Sequence, residues 1–526
     1  MTAAVSDPLP ARSWRETLAS LWQWRVLSLL CLGFSAGLPI LLIFSSLSLW
    51  LGEAGVERKA VTFFSWAALG YSFKFIWAPL VDRLPLPWLT ALLGRRRSWL
   101  LLAQLAVMAA IVGMGLTDPA QGEGALTRMA LWAVCLGFAS ATQDIVIDAY
   151  RIEIASAEQQ GLLSSAYIAG YRLGMIVAGA GALFLAAQWG SAKGQYVYLA
   201  WQWTYLCMAG VMVLGLLTTL ASPEPQRAAA AQAQPGSGPS WGHARLLAVF
   251  LLAVLAFVAC FIAWGRLAQA WGLVAAGPLA SLLLEGLRLS LSLAAAFAAG
   301  GLLVRLGVAS RAQARDTWVE PVRDFFRRYG LGTAALILAL VGLYRISDIV
   351  LGVISNVFYQ DMGFSKPEIA YAVKTFGVVV GILGGFAGGL LATRIGVMRS
   401  LFWGALLAGL TNLGFVALAH AGHDLPLMYA VVAADNLAAG FSSAAFVAFL
   451  SSLTNVSFTA VQYAIFSSLM TLLPKTLGGY SGGMVDALGY PGFFWFTALI
   501  GVPVLALVLL AQRRLAVAEA PAASRA

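Results

Sequence analysis

Charge is what this chain has least of. Asp, Glu, Lys and Arg make up 11% of its 526 residues, well under the roughly 25% of a soluble domain. With 60% hydrophobic residues and a mean hydropathy of +0.82, that scarcity excludes a water-soluble globular fold. Long polar segments are missing as well, so there is no room for a separate catalytic domain. Cysteine is rare. Cys31, Cys135, Cys207 and Cys260 each lie inside an apolar run, and no pair has ligand spacing, which excludes a disulfide framework and a zinc site. His420, His423 and Asp424 share one short segment without a further ligand cluster, so they read as a solvated loop and no metal is expected.

What is present is apolar sequence in bilayer-length pieces. Fourteen spans can be drawn: 26–50, 60–81, 98–117, 126–149, 161–188, 196–221, 246–271, 278–304, 330–357, 368–392, 400–420, 426–451, 460–485 and 490–511. Backbone in lipid must satisfy its own hydrogen bonds, so each should be a helix, and the fold class is an all-α polytopic membrane protein. The first run follows Arg12, Arg15 and Arg25. It is too long for a signal-peptide core and predicts an uncleaved first helix.

The net charge of +10 would suggest nucleic acid in a soluble protein. Here its distribution decides otherwise. With both termini in the cytosol, 21 of the 33 Lys and Arg fall in cytosolic segments, as the positive-inside rule requires. No nucleic-acid partner is expected.

Residues 222–244 have the composition of a flexible linker, with Pro223, Pro225, Pro235 and Pro239. Residues 309–328 place Trp318, Val322, Phe325 and Phe326 at helical spacing among Arg311, Arg315, Arg323, Arg327 and Arg328. That pattern predicts a basic amphipathic helix on the cytosolic surface. The division that follows is a six-helix half over 1–221, an insert with two extra helices over 222–329, and a second six-helix half over 330–526. Short basic loops recur at matching places, Gly94-Arg95-Arg96-Arg97 in one half and Arg394 to Arg399 in the other. Two related halves are a common plan for secondary transporters.

Ionisable residues inside spans are functional-site hypotheses by default, because their burial in lipid is costly. Outside the inserted pair they include Lys74, Asp144, Asp148, Arg172, Arg345, Asp348, Lys374, Asp435 and Lys475. The most informative stretch runs from Gln143 to Arg151, where Asp144 and Asp148 stand one helical turn apart. Asp144, seven residues before Arg151, should lie roughly 10 Å into the membrane. Arg172 on the next antiparallel helix is placed to meet it. Arg345 and Asp348, spaced i, i+3, can pair near mid-membrane. Together these residues predict a polar cavity between the halves. The excess of cations suggests an anionic cargo, with Arg172 and Arg345 as forked carboxylate binders. Asp144, Asp348 and Asp435 are the candidates to carry protons, and Asp148 with Arg151 forms a cytosolic gate. Tyr71, Tyr171, Tyr344 and Trp66 are candidates to stack on sugar faces. Within the insert, Glu285 and Arg288, spaced i, i+3, are placed to pair with each other or with Arg266 in a structural role. Gly377, Gly381, Gly385 and Gly389 recur every four residues. On an apolar span this is a close-packing face and not a phosphate loop. Gly37-Leu38-Pro39 and Pro79 should bend or unwind their helices.

Several motifs together resemble the AmpG family of muropeptide permeases, in the major facilitator superfamily. They are Gly33-Phe34-Ser35-Ala36-Gly37-Leu38-Pro39, the Phe73 to Arg83 stretch ending in Asp82-Arg83, Gly94-Arg95-Arg96-Arg97, the Gln143 to Tyr150 segment, the Gly170 to Gly174 segment, Arg323-Asp324-Phe325-Phe326, and Asn436 with the run that follows it. The resemblance implies a secondary-active importer, not an enzyme, that needs no cofactor beyond a proton gradient. It implies anhydro-muropeptide cargo, sugar plus short anionic peptide, moved from periplasm to cytosol across the bacterial inner membrane by a monomer. In this family such import feeds peptidoglycan recycling and, in some bacteria, β-lactamase induction. Carried over by position, substrate binding falls to Lys74, Gln143, Asp144, Tyr171, Arg172, Arg345, Lys374 and Asn436. Proton coupling falls to Asp144, Asp348 and Asp435, and gating to Asp82, Arg83, Asp148 and Arg151. Asn455 and Gln462 match the pattern too. The alternatives are a related permease for another anionic cargo such as acyl-CoA, or a membrane-embedded enzyme.

Overall fold

The structure is a computed structural model that describes residues 22–56, 71, 73–156, 159–192, 194–225, 240–272, 278–478 and 481–519. Arg12, Arg15, Trp66, Pro235 and Pro239 therefore lie outside the described residues, as do the side chains of Glu285, Lys374 and Lys475. The structure contains 13 helices long and apolar enough to cross a membrane among the described residues. The remaining expected span, 60–81, lies mostly outside them.

The main compact unit comprises residues 1–78, 85–231 and 329–526. Its first half contains α1 (Trp24–Glu53), α3 (Arg95–Gly115), α4 (Glu123–Ile154), α5 (Gln160–Gln188) and α6 (Tyr198–Ala221). The short α2 (Ala78–Arg83) follows a 3-10 turn at Lys74–Ile76. The insert holds α7 (Ser240–Ala270) and α8 (Pro278–Arg305). The second half is formed by α9 (Glu320–Leu343), α10 (Ile346–Asp361), α11 (Gly377–Ile395), α12 (Val397–Ala421), α13 (Leu425–Leu453), α14 (Thr459–Gly478), α15 (Ser481–Leu499) and α16 (Gly501–Glu519). We call the end of the helices bearing Arg25, Arg95, Arg151, Arg394 and Arg399 the basic face.

Several helices are interrupted, and each interruption has a local cause. Pro39 lacks an N–H, and the helix after it widens into a π turn at Leu42–Ser46. Tyr205 donates its hydroxyl to the Leu42 carbonyl at 2.9 Å, and Ser46 donates to the Ala178 carbonyl at 2.8 Å. Ala178 belongs to a second π turn, Val177–Gly181. The first irregular segment thus takes a partner from α6 and supplies one to the second, as buried backbone requires. In the second half, α9 and α10 separate at Tyr344 and Arg345. This break puts Arg345 and Asp348 at the first turn of a helix inside one expected span.

Glycine sets the tightest crossing, between α1 and α5. A side chain at Gly33 or Gly37 would meet the carbonyls of Tyr167 and Tyr171, and one at Gly170 or Gly174 would meet those of Leu30 and Phe34. Backbone carbonyls cannot move aside as a flexible side chain can. Gly37→Val should therefore force the two helices apart and cost about 1–3 kcal/mol, read as a lower thermal midpoint in detergent. An unchanged midpoint would show that the crossing tolerates a wider spacing.

Away from the basic face, the first half is anchored by aromatics. Trp50 stacks on Trp201 with centroids 5.7 Å apart. The Trp201 indole donates to Glu53 at 2.7 Å, and Ser191 donates to the same carboxylate oxygen at 2.6 Å. Large rings with one polar tip suit such a boundary. The His420 to Asp424 loop has ordinary duties: His420 bonds the Val416 carbonyl, His423 approaches Glu368 at 3.3 Å, and Asp424 caps α13 at Leu427.

The second unit comprises residues 79–84 and 232–328. The helical segment before Gly330 is Arg311–Ala314, a π turn at Arg315–Val319, and the start of α9. Its inward side is built from Thr317, Trp318 and Phe325, while Val322 is exposed. The expected apolar stripe is therefore shifted, because the π turn rotates the face by part of a turn. Arg83 donates to the Asp316 carbonyl at 3.0 Å. Arg288 lies over the Phe261 ring, 3.7 Å from its centroid, and donates to the Phe261 carbonyl at 3.0 Å.

Candidate functional site

The ionisable residues of the main unit fall into two clusters. The first surrounds α4 near the basic face. Asp144, Asp148 and Arg151 occupy successive turns of one helix, with Glu153 turned away beside Arg151, and all four are buried. Lys74, on the 3-10 turn, places Nζ 3.6 Å from Asp148 Oδ2. The other Asp148 oxygen is 3.5 Å from Arg151 Nη2. Asp148 is therefore shared by two cations. Asp144 lies within Coulombic reach of Lys74 and Asp148, and its Oδ1 is buried with no hydrogen-bond partner among the described residues. Tyr71, Tyr167, Tyr171 and Tyr463 all lie within reach of Asp144.

Arg151 is fully buried and links the two halves. Its Nη1 donates to Gln160 Oε1 at 3.2 Å, Ser164 Oγ at 3.0 Å and Ser451 Oγ at 2.8 Å. Its guanidinium also sits 5.2 Å from the Tyr463 ring centroid. Gln160 and Ser164 belong to the first half, Ser451 and Tyr463 to the second. Sequence reasoning singled out Arg151 but not Ser451 or Tyr463, since a serine and a tyrosine in apolar spans carry no signal of their own.

The second cluster lies deeper, between α5, α10 and α13. Arg345 Nε is 3.8 Å from Asp348 Oδ2. Arg172 lies within Coulombic reach of both Arg345 and Asp435, and Asp435 within reach of Asp348. Two cations and two anions thus face one another across the halves. Close approach at this level is permitted by the glycines of α11. The Arg172 guanidinium lies against Gly381, and Ser165 Oγ donates to the Gly385 carbonyl at 2.7 Å. The expectation that the glycine run packs helices is met on both of its sides, since Gly384 and Gly388 abut α13 at Leu437 and Phe441.

Of the remaining sequence candidates, Tyr171 borders the first cluster and Tyr344 the second. Gln143 is fully buried and donates its amide to Ser35 Oγ at 3.2 Å, a contact between α1 and α4. Asn436 donates to the Val432 carbonyl of its own helix at 3.0 Å and lies against Gly377. Tyr344 stacks on Phe446 with centroids 4.4 Å apart and donates to the Leu401 carbonyl. Tyr171 lies 6.0 Å from Tyr167, ring to ring. Asn455 and Gln462 form a turn before α14: the Asn455 N–H donates to Gln462 Oε1 at 2.8 Å. Asp82 is buried and Arg83 exposed, both in the second unit.

The Gly94-Arg95-Arg96-Arg97 loop is a built structure. Gly94 has φ 84° and ends the turn before α3, a conformation that disfavours any side chain. Glu224 accepts from the N–H groups of Arg96 and Arg97 at 2.8 and 3.1 Å, capping that helix. Arg96 forms a two-pronged bond with Glu153, at 2.5 and 3.0 Å. Tyr150 donates to the Pro223 carbonyl. The first residues of the expected flexible linker are therefore packed, because Glu224 satisfies amides that the helix cannot satisfy itself.

Two helical halves with ion clusters buried between them are the plan of a membrane transporter of the major facilitator type. The chain matches the structure of the proton:xylose symporter XylE bound to 6-bromo-6-deoxy-D-glucose with a TM-score of 0.56 and 14% identity, over 94% of this chain and 96% of that one. A family model described as acetyl-coenzyme A transporter 1 matches residues 25–217. An anhydromuropeptide permease of Escherichia coli K12 is 31% identical over 494 residues, covering 94% of this chain and 81% of that protein. A Rickettsia felis protein named AmpG 4 is 27% identical over 492 residues, 94% of this chain and 97% of its own. The chain belongs to the AmpG family of permeases, transporters and not enzymes.

Proposed function

We propose that this protein imports anhydro-muropeptides across the bacterial inner membrane, driven by protons, with both termini and the basic face in the cytosol. The observation that carries the reading is the facing pair Arg172 and Arg345 between the halves, with Asp348 and Asp435 beside them. Planar guanidiniums hold carboxylates through forked bonds, and peptide carboxylates are what such a cargo offers. Asp348 and Asp435 keep the empty site close to neutral. Asp144, buried without a hydrogen-bond partner on Oδ1, is a candidate to carry the proton, as are Asp348 and Asp435. The 21 basic residues on the N-terminal side support the orientation. Import of this kind would supply peptidoglycan recycling and β-lactamase induction.

The test is uptake of radiolabelled anhydro-muropeptide by proteoliposomes, with and without an imposed proton gradient. Accumulation that needs the gradient supports the reading, and absence of uptake overturns it. Arg172→Ala should weaken apparent affinity for cargo by about 10- to 100-fold, the loss of one or two charge-assisted bonds. Unchanged affinity would remove Arg172 from the site. The match to an acetyl-coenzyme A transporter over residues 25–217 makes acyl-CoA the competitor to include. Its transport in place of muropeptide would establish the alternative cargo.

A further inference from the structure

Lys74, Asp148 and Arg151 stand in line between a buried carboxylate and the contact that joins the halves. Lys74 sits where the helix is interrupted, on a 3-10 turn. It lies within Coulombic reach of Asp144 on one side and 3.6 Å from Asp148 on the other. Asp148 is held equally by Arg151, at 3.5 Å. Arg151 in turn holds Ser451 and Tyr463 of the second half. From the elements packed against α4, the titratable groups facing Asp144 are Lys74, Tyr71, Tyr167, Tyr171 and Tyr463, with Asp148 on its own helix.

We propose that Lys74 is a shuttling counter-ion that makes protonation of Asp144 open the basic-face gate. With Asp144 ionised, Lys74 divides its charge between two carboxylates, and Asp148 remains available to orient Arg151 toward Ser451. A proton on Asp144 removes one carboxylate from the competition. Lys74 then moves wholly to Asp148 and displaces Arg151, whose hold on the second half weakens. Loss of the proton toward the basic face draws Lys74 back and closes the gate. The inference rests on the proton-coupled reading and assigns Lys74 a positioning role within it.

The test uses the full chain in lipid nanodiscs without cargo, so it stands apart from the identity of the cargo. Spin labels at Ser156→Cys and Ser452→Cys, both exposed near the basic face in opposite halves, report the gate after the four native cysteines are replaced. In the otherwise unaltered protein, lowering the pH should shift the distance distribution toward longer separations. Without cargo, Asp144→Asn should give one distribution at every pH, weighted toward long separations but still including closed gates. Lys74→Gln should lose the pH response, and Lys74→Arg should keep it. Ser451→Ala, which removes an uncharged acceptor from the closed gate, should move the midpoint of the response to higher pH. A full pH response in Lys74→Gln, or no response in the unaltered protein, overturns the proposal.

Discussion

Asp144→Asn should abolish accumulation of cargo against its gradient while leaving exchange of cargo across the membrane. Asparagine has nearly the shape of a protonated aspartate but can neither take up nor release a proton. In a buried site an unpaired carboxylate is the costly form, and Asp144 Oδ1 has no hydrogen-bond partner among the described residues. The variant should therefore fold at least as stably as the parent, which separates loss of coupling from loss of protein. Gradient-driven uptake should fall to the level of protein-free vesicles, and counterflow of preloaded cargo should continue. Asp348 differs, since Arg345 stands 3.8 Å away. Asp348→Asn would leave that cation with less compensation and should impair cargo binding as well as coupling. Undiminished accumulation by Asp144→Asn would remove it from the proton path.

Most of the fold was legible because lipid leaves the backbone few choices. Apolar runs of bilayer length and basic loops between them give the helices before any contact is known. What the runs do not give is their interruptions. Leu42, Val177 and Ala370 begin π turns in stretches as apolar as their neighbours. Pro39 announces the first of them, which Tyr205 also partners from 163 positions away, and the second is met by Ser46, 132 positions from Ala178.

The site was legible where a residue is expensive and opaque where it is cheap. Asp144, Asp148, Arg172, Arg345 and Asp435 drew attention because charge inside a span is rare, and the structure gathers them into two clusters. Ser451, Tyr463 and Ser165 join the halves through ordinary hydroxyls and a ring face. Composition cannot separate them from packing residues. Gln143 shows the converse: it is adjacent to Asp144 in sequence, yet one residue along a helix turns the side chain by about 100°, and its amide meets Ser35. Glu224 was hidden for another reason. It sits among prolines in a stretch with linker composition, and only the exposed amides of α3 give it a task.

That capped loop carries the largest expected effect on stability. Glu153→Ala should destabilise the protein by about 3–5 kcal/mol, the cost of removing one partner from a buried ion pair. Arg96 and Glu153 are almost completely shielded from solvent, at 1% and 0% side-chain exposure, and their bond is two-pronged. The Arg327–Glu320 pair is the internal control. Its arginine is 58% exposed, so Glu320→Ala should cost only about 0–1 kcal/mol. Denaturant or thermal unfolding in detergent measures both. Arg96→Met with Glu153→Leu should recover most of the loss, because two apolar groups of similar volume replace the pair without leaving a charge behind. Equal effects for Glu153→Ala and Glu320→Ala would mean that water reaches Arg96 in solution. The basic end of α3 would then be held chiefly by the Glu224 cap, and Glu224→Gln would become the damaging substitution.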